Sequence, residues 1–186
     1  MLPSVPQNLL KKPWWTFLTA DQQEGLIQSH TLLADELRRK TPRFHDYAFI
    51  VFPAAKAYEG FLKNFLLALG LITQIDYSGR LFRLGKSLNP SLPPKYRNSH
   101  YVYDKLVNYC RDENLAQTLW STWKKSRNLI FHWFPKHKNA ITLPQAQDRL
   151  ELVIAAIDAA FTGCRLSPRP PYRRARPPPP LNPRPK

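Results

Sequence analysis

The chain has 186 residues, of which 43% are hydrophobic, including five Trp, eight Tyr and ten Phe. This length and this apolar content suit one domain with a sizeable core, and they exclude a chain that is disordered throughout. Lys and Arg outnumber Asp and Glu by 28 to 13, which gives a net charge of +15. Such a charge attracts polyanions such as RNA, DNA or acidic proteins, although it also serves solubility.

Cysteine and histidine spacing indicates neither a metal site nor a disulfide scaffold. Cys110 and Cys164 are the two cysteines, and the five histidines are not grouped with cysteines or carboxylates. We therefore expect reduced thiols in a cytoplasmic protein that holds no metal. Prolines and lysines interrupt the first 18 residues, so no signal peptide is predicted.

Helical periodicity predicts an all-α domain, and no segment alternates convincingly as a strand. The predicted helices cover residues 19–40, 45–70, 101–111, 113–133 and 142–163. Residues 48–72 are apolar over a length that could span a bilayer, but three charged residues near the middle predict a core helix of a soluble protein instead, with no membrane partner.

Specific residues define the expected helix ends. Thr19 and Thr142, each followed by Gln three positions later, predict capping boxes at the first and last helices. Gly70 is the expected end of the second helix, and Pro53 is expected either to kink that helix or to mark its true start. Pro135 is expected to end the fourth helix. Between residues 72 and 100 we expect a long connection with one short helix, patterned on Leu81, Leu84 and Leu88.

The C-terminal residues 165–186 differ completely in composition, with nine prolines, six arginines, one lysine and no acid. They predict a disordered, partly polyproline tail. The tail carries +7 of the charge, so the helical domain of residues 1–164, whose first 18 residues are predicted to be irregular, retains +8. The tail could grip RNA nonspecifically, serve solubility or, through residues 176–180, bind a proline-recognising groove.

Arg127 is misplaced on an otherwise apolar face of the fourth predicted helix. At about 100° per residue, it shares that face with Ala116, Trp120, Trp123, Ile130 and Phe134. A guanidinium is costly to bury unless it is paired or opens onto a cleft. Glu59 in the second predicted helix is the best placed partner. The alternative for Glu59 is a surface pair with Lys56 or Lys63, at helical spacing on its own helix.

Asn128 and His132 are four residues apart and are therefore expected to stack on the neighbouring polar face of the same helix, with His132 in its last turn. A fixed cation, an amide and an imidazole that titrates near neutral pH form a set suited to phosphodiester cleavage. The basic residues around this region are the candidate RNA-binding residues: Lys56, Lys124, Lys125 and Lys136.

The run Arg127-Asn128-x3-His132 resembles the R-polar-x3-H ribonuclease motif of the HEPN superfamily. Residues 49–62, FIVFPAAKAYEGFL, are similar to the HEPN domain of RNase LS type toxins, which are bacterial endoribonucleases of toxin–antitoxin and phage-defence systems. The resemblance covers residues 45–162 and implies a HEPN-like up-down bundle of four to five main helices.

For function, the resemblance implies a metal-independent and cofactor-independent endoribonuclease that cleaves RNA, in these toxins mRNA, to a 2′,3′-cyclic phosphate. Its site would form where two protomers meet, and a cognate antitoxin protein would be a further partner. Arg127 and His132 would be the catalytic pair, Asn128 the polar residue of the motif and Glu59 the supporting acid.

Other interpretations remain open. A non-catalytic HEPN domain could bind RNA or protein without cleaving. The toxins of nucleotidyltransferase-paired HEPN systems usually have Tyr two residues after the motif histidine, where this chain has Phe134. Residues 79–87, GRLFRLGKS, nearly match a phosphate-binding loop but contain one residue too many and follow no predicted strand. Trp14 and Trp15 are expected to pack against the bundle.

Overall fold

The computed structural model describes residues 7–164, which form eight α-helices, as the helical periodicity predicts. The helices are α1 (Gln7–Leu10), α2 (Ala20–Leu37), α3 (Ala48–Ala68), α4 (Gln74–Ser78), α5 (Leu84–Ser87), α6 (Tyr103–Cys110), α7 (Glu113–Trp123) and α8 (Leu143–Gly163). Short 3-10 turns lie at Trp15–Phe17, Pro94–Tyr96 and Pro135–His137. Residues 7–164 contain no strand, so the predicted all-α class is confirmed. The tail prediction falls on residues 165–186, outside the described residues.

The expected signals at three helix ends are confirmed. Thr19 and Thr142 cap α2 and α8 through capping boxes with Gln22 and Gln145. Gly70 follows α3 with φ +69°, a left-handed conformation that glycine adopts without a steric penalty.

Pro53 lies inside α3 rather than at its start, because a neighbouring helix compensates for it. Proline lacks an N–H and its ring obstructs the preceding turn. The backbone N–H of Ala54, next in the chain, donates to the buried Ser29 hydroxyl of α2 at 2.8 Å. A Cβ at Gly25 would come within 2.8 Å of the Pro53 carbonyl oxygen, so α2 approaches α3 closely at this point. The pair α2–α3 is thereby locked in register.

The core is centred on α3, which packs against α2, α7 and α8. Phe61 is fully buried, and its ring lies 6.0 Å from that of Phe17 in the N-terminal segment. Trp14 is also fully buried, as predicted, and its indole N–H donates to Asp158 of α8 at 2.6 Å. The N-terminal segment, predicted to be irregular, therefore contains two short helical turns and contributes to the core.

The connection of residues 72–100 is more ordered than predicted, with two short helices and a 3-10 turn. Leu84 and Leu88 are buried as expected, but Leu81 is 92% exposed. Phe82 is buried in its place. The helical pattern was wrong at Leu81 because α5 begins only at Leu84, so helical spacing does not extend back to that residue.

A disulfide joins Cys110, at the end of α6, to Cys164, directly after α8, with their Cα atoms 5.1 Å apart. The prediction of two reduced thiols is therefore wrong. The cysteines are 54 residues apart in the sequence, and only the packing of α6 beside the end of α8 brings them together.

Within residues 7–164, no helix has both the length and the apolar character needed to cross a membrane. This includes α3, whose sequence had a suitable length but contains Lys56, Glu59 and Lys63.

Reducing the disulfide should lower the free energy of unfolding by up to about 4 kcal/mol, because the bond constrains a loop of 54 residues in the unfolded chain. Urea unfolding followed by far-UV circular dichroism, with and without dithiothreitol, measures the change. The variant with both cysteines replaced by serine is the control, and it should not respond to dithiothreitol. Detection of two free thiols with a thiol reagent in the denatured, unreduced protein would show that the disulfide is not formed.

Candidate active site

Tyr58 joins α3 to α7 beside the candidate acid Glu59. Its side chain is fully buried and its hydroxyl donates to the carbonyl oxygen of Leu119 at 3.1 Å. Burial raises the pKa of Tyr58 well above its usual value, so the hydroxyl stays protonated and remains a donor. This contact holds the Glu59 region of α3 against the helix that leads into the Arg127 motif.

The motif begins where α7 changes into a wider helical turn. Lys124–Asn128 is a π-helical turn, in which the N–H of Leu129 donates to the carbonyl oxygen of Lys124, five residues back, at 3.0 Å. The buried hydroxyl of Ser126 donates to the Thr122 carbonyl at 2.6 Å and competes with the regular helical bond. Such π-turns occur frequently at functional sites. The helical segment that begins with α7 ends with this turn at Asn128. The prediction that the helix continues to residue 133 is wrong.

Arg127 forms the predicted ion pair with Glu59. Its Nε lies 2.6 Å from Oε2 of Glu59, and the two side chains are 40% and 29% exposed. The Arg127 guanidinium carbon is also 5.3 Å from the ring centroid of Trp123, within range of a cation–π interaction. The alternative pairing of Glu59 with a lysine of α3 is not formed among the described residues. The guanidinium is thus oriented by a carboxylate and an aromatic ring while part of it stays accessible.

Arg127 opens onto a cleft of about 560 Å³ that also receives His132. His132 is exposed and lies beyond the end of the helix, so its expected position in the last helical turn is wrong. The cleft combines an acid, basic residues and apolar walls: Phe52, Ala55, Lys56, Glu59, Gly60, Lys63, Arg127, Phe131 and His132.

Asn128 does not stack with His132 as predicted, because the helix ends before the next turn is formed. It lines a second cavity of about 800 Å³ instead. Arg127 and Glu59 line both cavities, and Lys63 does so as well. The ion pair therefore lies between the cavity that contains His132 and the one that contains Asn128.

The four candidate RNA-binding lysines divide into two groups. Lys56 lines the His132 cleft and Lys124 lines the second cavity. Lys125 and Lys136 are exposed but line neither, and Lys136 has a left-handed backbone with φ 64°. Lys63, expected from the sequence only as an alternative surface partner for Glu59, lines both cavities. Its position one turn after Glu59 on α3 was the available signal.

Asn139 is a positioning residue that the sequence did not reveal. Its side-chain amide donates to the backbone carbonyl oxygens of Ile130, at 3.3 Å, and His132. These bonds hold the chain that follows the π-turn and so orient the His132 backbone. An asparagine in a polar loop carries no sequence signal for this role, because the contact spans nine residues and exists only in the folded chain.

Potential metal ligands are dispersed: in the part of the chain that the structure describes, no three His, Cys, Asp or Glu residues are grouped so that they could hold an ion.

Replacing Asn139 with Ala should lower the free energy of unfolding by about 1–2 kcal/mol, because two backbone carbonyls lose their donor. Amide hydrogen exchange across residues 130–134 should also accelerate. Asn108→Ala, at an exposed position on α6, is the matched control. Unchanged exchange in the Asn139 variant would show that the residue does not hold this turn.

A double-mutant cycle with Glu59→Gln and Arg127→Gln should give a coupling energy of about 0.5–1 kcal/mol, since the pair is close but partly exposed to solvent. Thermal or urea unfolding of the four proteins supplies the cycle. Pairing Glu59→Gln with Lys125→Gln provides a cycle between residues that form no ion pair, and its coupling should be near zero. Equal coupling energies in both cycles would show that Glu59 and Arg127 do not form a specific ion pair.

Comparison with known proteins adds no family to this geometry. Neither protein-family models, nor curated proteins, nor solved structures give a match to the chain. Functional assignment therefore depends on the residues of the site and on the resemblance of the motif.

Proposed function

We propose that the protein is a HEPN-type endoribonuclease that cleaves RNA without a metal ion or cofactor. The observation that carries the proposal is an arginine, held by Glu59, that shares an open cleft with an exposed histidine. A positive charge beside an imidazole that can act as a general acid or base suits cleavage of a phosphodiester.

In the proposed reaction, the 2′-oxygen of a ribose attacks the adjacent phosphorus and the bond to the 5′-oxygen breaks. The products are a 2′,3′-cyclic phosphate and a 5′-hydroxyl end. His132 removes the 2′-hydroxyl proton or protonates the departing 5′-oxygen, and Arg127 offsets the charge on the pentacovalent phosphorane. Glu59, which pairs with Arg127, is a positioning residue in this scheme, and Asn128 is the polar residue of the motif.

We propose further that two copies of the chain form the active dimer. The reaction needs one proton removed and one delivered, whereas within the described part of the chain His132 is the one histidine that lines the cleft. A second copy would supply the other. The surface near His132 also carries exposed apolar side chains that a second copy could cover: Phe52, Leu129, Trp133 and Phe134.

The cellular role follows from the resemblance to RNase LS type toxins. We propose a cytoplasmic toxin of a phage-defence system that cleaves mRNA and is restrained by an antitoxin protein. Disulfides are uncommon in reducing compartments. In that setting the Cys110–Cys164 bond would be exposed to reduction.

The decisive test is incubation of the purified chain with total RNA in the presence of a chelator. We expect cleavage by the parent, and a loss of about 100-fold or more in rate for Arg127→Ala and for His132→Ala. Arg38→Ala and His45→Ala, at exposed positions outside both cavities, are the matched controls. The new RNA ends should be cyclic phosphates, and 2′-O-methylated RNA should resist cleavage.

Persistent cleavage in both site variants would overturn the mechanism. Absence of cleavage by the parent would favour the alternative, a non-catalytic HEPN domain that binds RNA or protein. The basic lining of the second cavity suits RNA binding with or without cleavage, and the alternative predicts that most of the binding survives the loss of Arg127 or His132 and weakens with salt.

A further inference from the structure

The second cavity is a basic groove in which Lys63, Arg80, Arg83, Lys86 and Lys124 have no part in the proposed chemistry. Six basic residues line it: Arg80, Arg83 and Lys86 from the connection between α4 and α6, and Lys63, Lys124 and Arg127 from α3 and the π-turn. We refer to it as the Arg80 groove. Among the described residues, Glu59 is the single acid that lines it, and it is already paired with Arg127. The lining thus has five unbalanced positive charges.

The three cations of the connection are exposed and available to a ligand. Arg80, Arg83 and Lys86 form no salt bridge with any acid among residues 7–164. Exposed side chains of this kind normally remain hydrated, but three of them facing one concave surface concentrate positive potential there. A polyanion would therefore be attracted to the groove.

The connection is anchored so that its cations stay at the groove. Buried and exposed residues alternate along this segment. Phe82 and Leu84 are buried and anchor it, whereas the basic residues around them in the sequence are exposed: Arg80, Arg83 and Lys86. A Cβ at Gly85 would lie 2.2 Å from a ring atom of Trp123, so only glycine permits this approach of α5 to α7. Trp123 in turn lies beneath the guanidinium of Arg127. One aromatic ring therefore contacts both the wall of the groove and the candidate catalytic arginine.

We propose that the Arg80 groove binds the phosphate backbone of single-stranded RNA beside the phosphate attacked at Arg127 and His132. This inference deepens the proposed function, on which it rests, by assigning the part of the substrate strand that flanks the cleaved bond. The groove and the His132 cleft share Glu59, Lys63 and Arg127, so a strand crossing the ion pair would occupy both. This continuity favours RNA over an acidic protein as the occupant.

The groove differs in chemistry from a nucleotide-binding loop. A phosphate-binding loop cradles phosphates with backbone N–H groups between a strand and a helix. Residues 79–87 follow no strand within the described chain, and they present side-chain cations instead. Cations in a row suit successive phosphates of a strand and carry little base specificity.

Binding of a fluorescein-labelled, 2′-O-methylated RNA 12-mer by the full chain tests the groove without cleavage. A triple variant should bind the RNA ~10-fold or more weakly at low salt. It combines the substitutions Arg80→Gln, Arg83→Gln and Lys86→Gln. The slope of log affinity against log salt should become shallower by about 2, as expected for three lost phosphate contacts on a single strand. The control combines Lys11→Gln, Lys40→Gln and Lys105→Gln, which removes the same charge at exposed positions outside both cavities.

Equal affinities and slopes for the groove and control variants would overturn the groove, whether or not the parent cleaves RNA. Displacement of the RNA by polyglutamate at equal charge concentration would also overturn the proposal, because it would indicate that the groove binds an acidic protein. The parent could bind RNA in a groove-dependent way and still fail to cleave unmodified RNA. That result would support RNA binding by the groove and overturn the proposed nuclease activity. A DNA 12-mer should bind in the same groove-dependent way, since the contacts are to phosphates.

Discussion

The ion pair between Glu59 and Arg127 connects the two halves of the candidate site. Arg127 comes from the turn after α7 and Glu59 from the central helix α3, so their contact depends on the packing of those helices. Tyr58 stabilises that packing through its buried hydrogen bond to Leu119. Since the guanidinium borders both cavities, its orientation determines how the His132 cleft and the Arg80 groove meet.

A local change in helical geometry gives the motif its form. The π-turn of Lys124–Asn128 ends the helix early, and the chain then leaves along a path held by Asn139. Asn128 and His132 consequently lie in different cavities, although four residues usually bring side chains to one helical face. In the proposed mechanism, His132 is free of the helix and exposed towards a second copy, whereas Asn128 faces the flanking strand.

Charge distribution gives the site its proposed affinity for a nucleic-acid backbone. The net charge of +15 indicated a polyanion but could not say where it would bind. Cations of the described domain converge on the surface around Arg127, from α3, from the connection before α6 and from the π-turn. The proposed substrate would meet a single continuous basic surface that leads from a binding groove to a reactive cleft.

The sequence alone determined the all-α class and the principal helix ends at Thr19, Gly70 and Thr142, because apolar periodicity and capping are local properties. It also predicted the partner of Arg127, since an arginine on an apolar face requires a nearby acid. Tertiary structure alone decided the early end of the motif helix, the role of Asn139 and the Cys110–Cys164 bond. Each depends on a contact or a competing hydrogen bond that spacing along the chain does not encode.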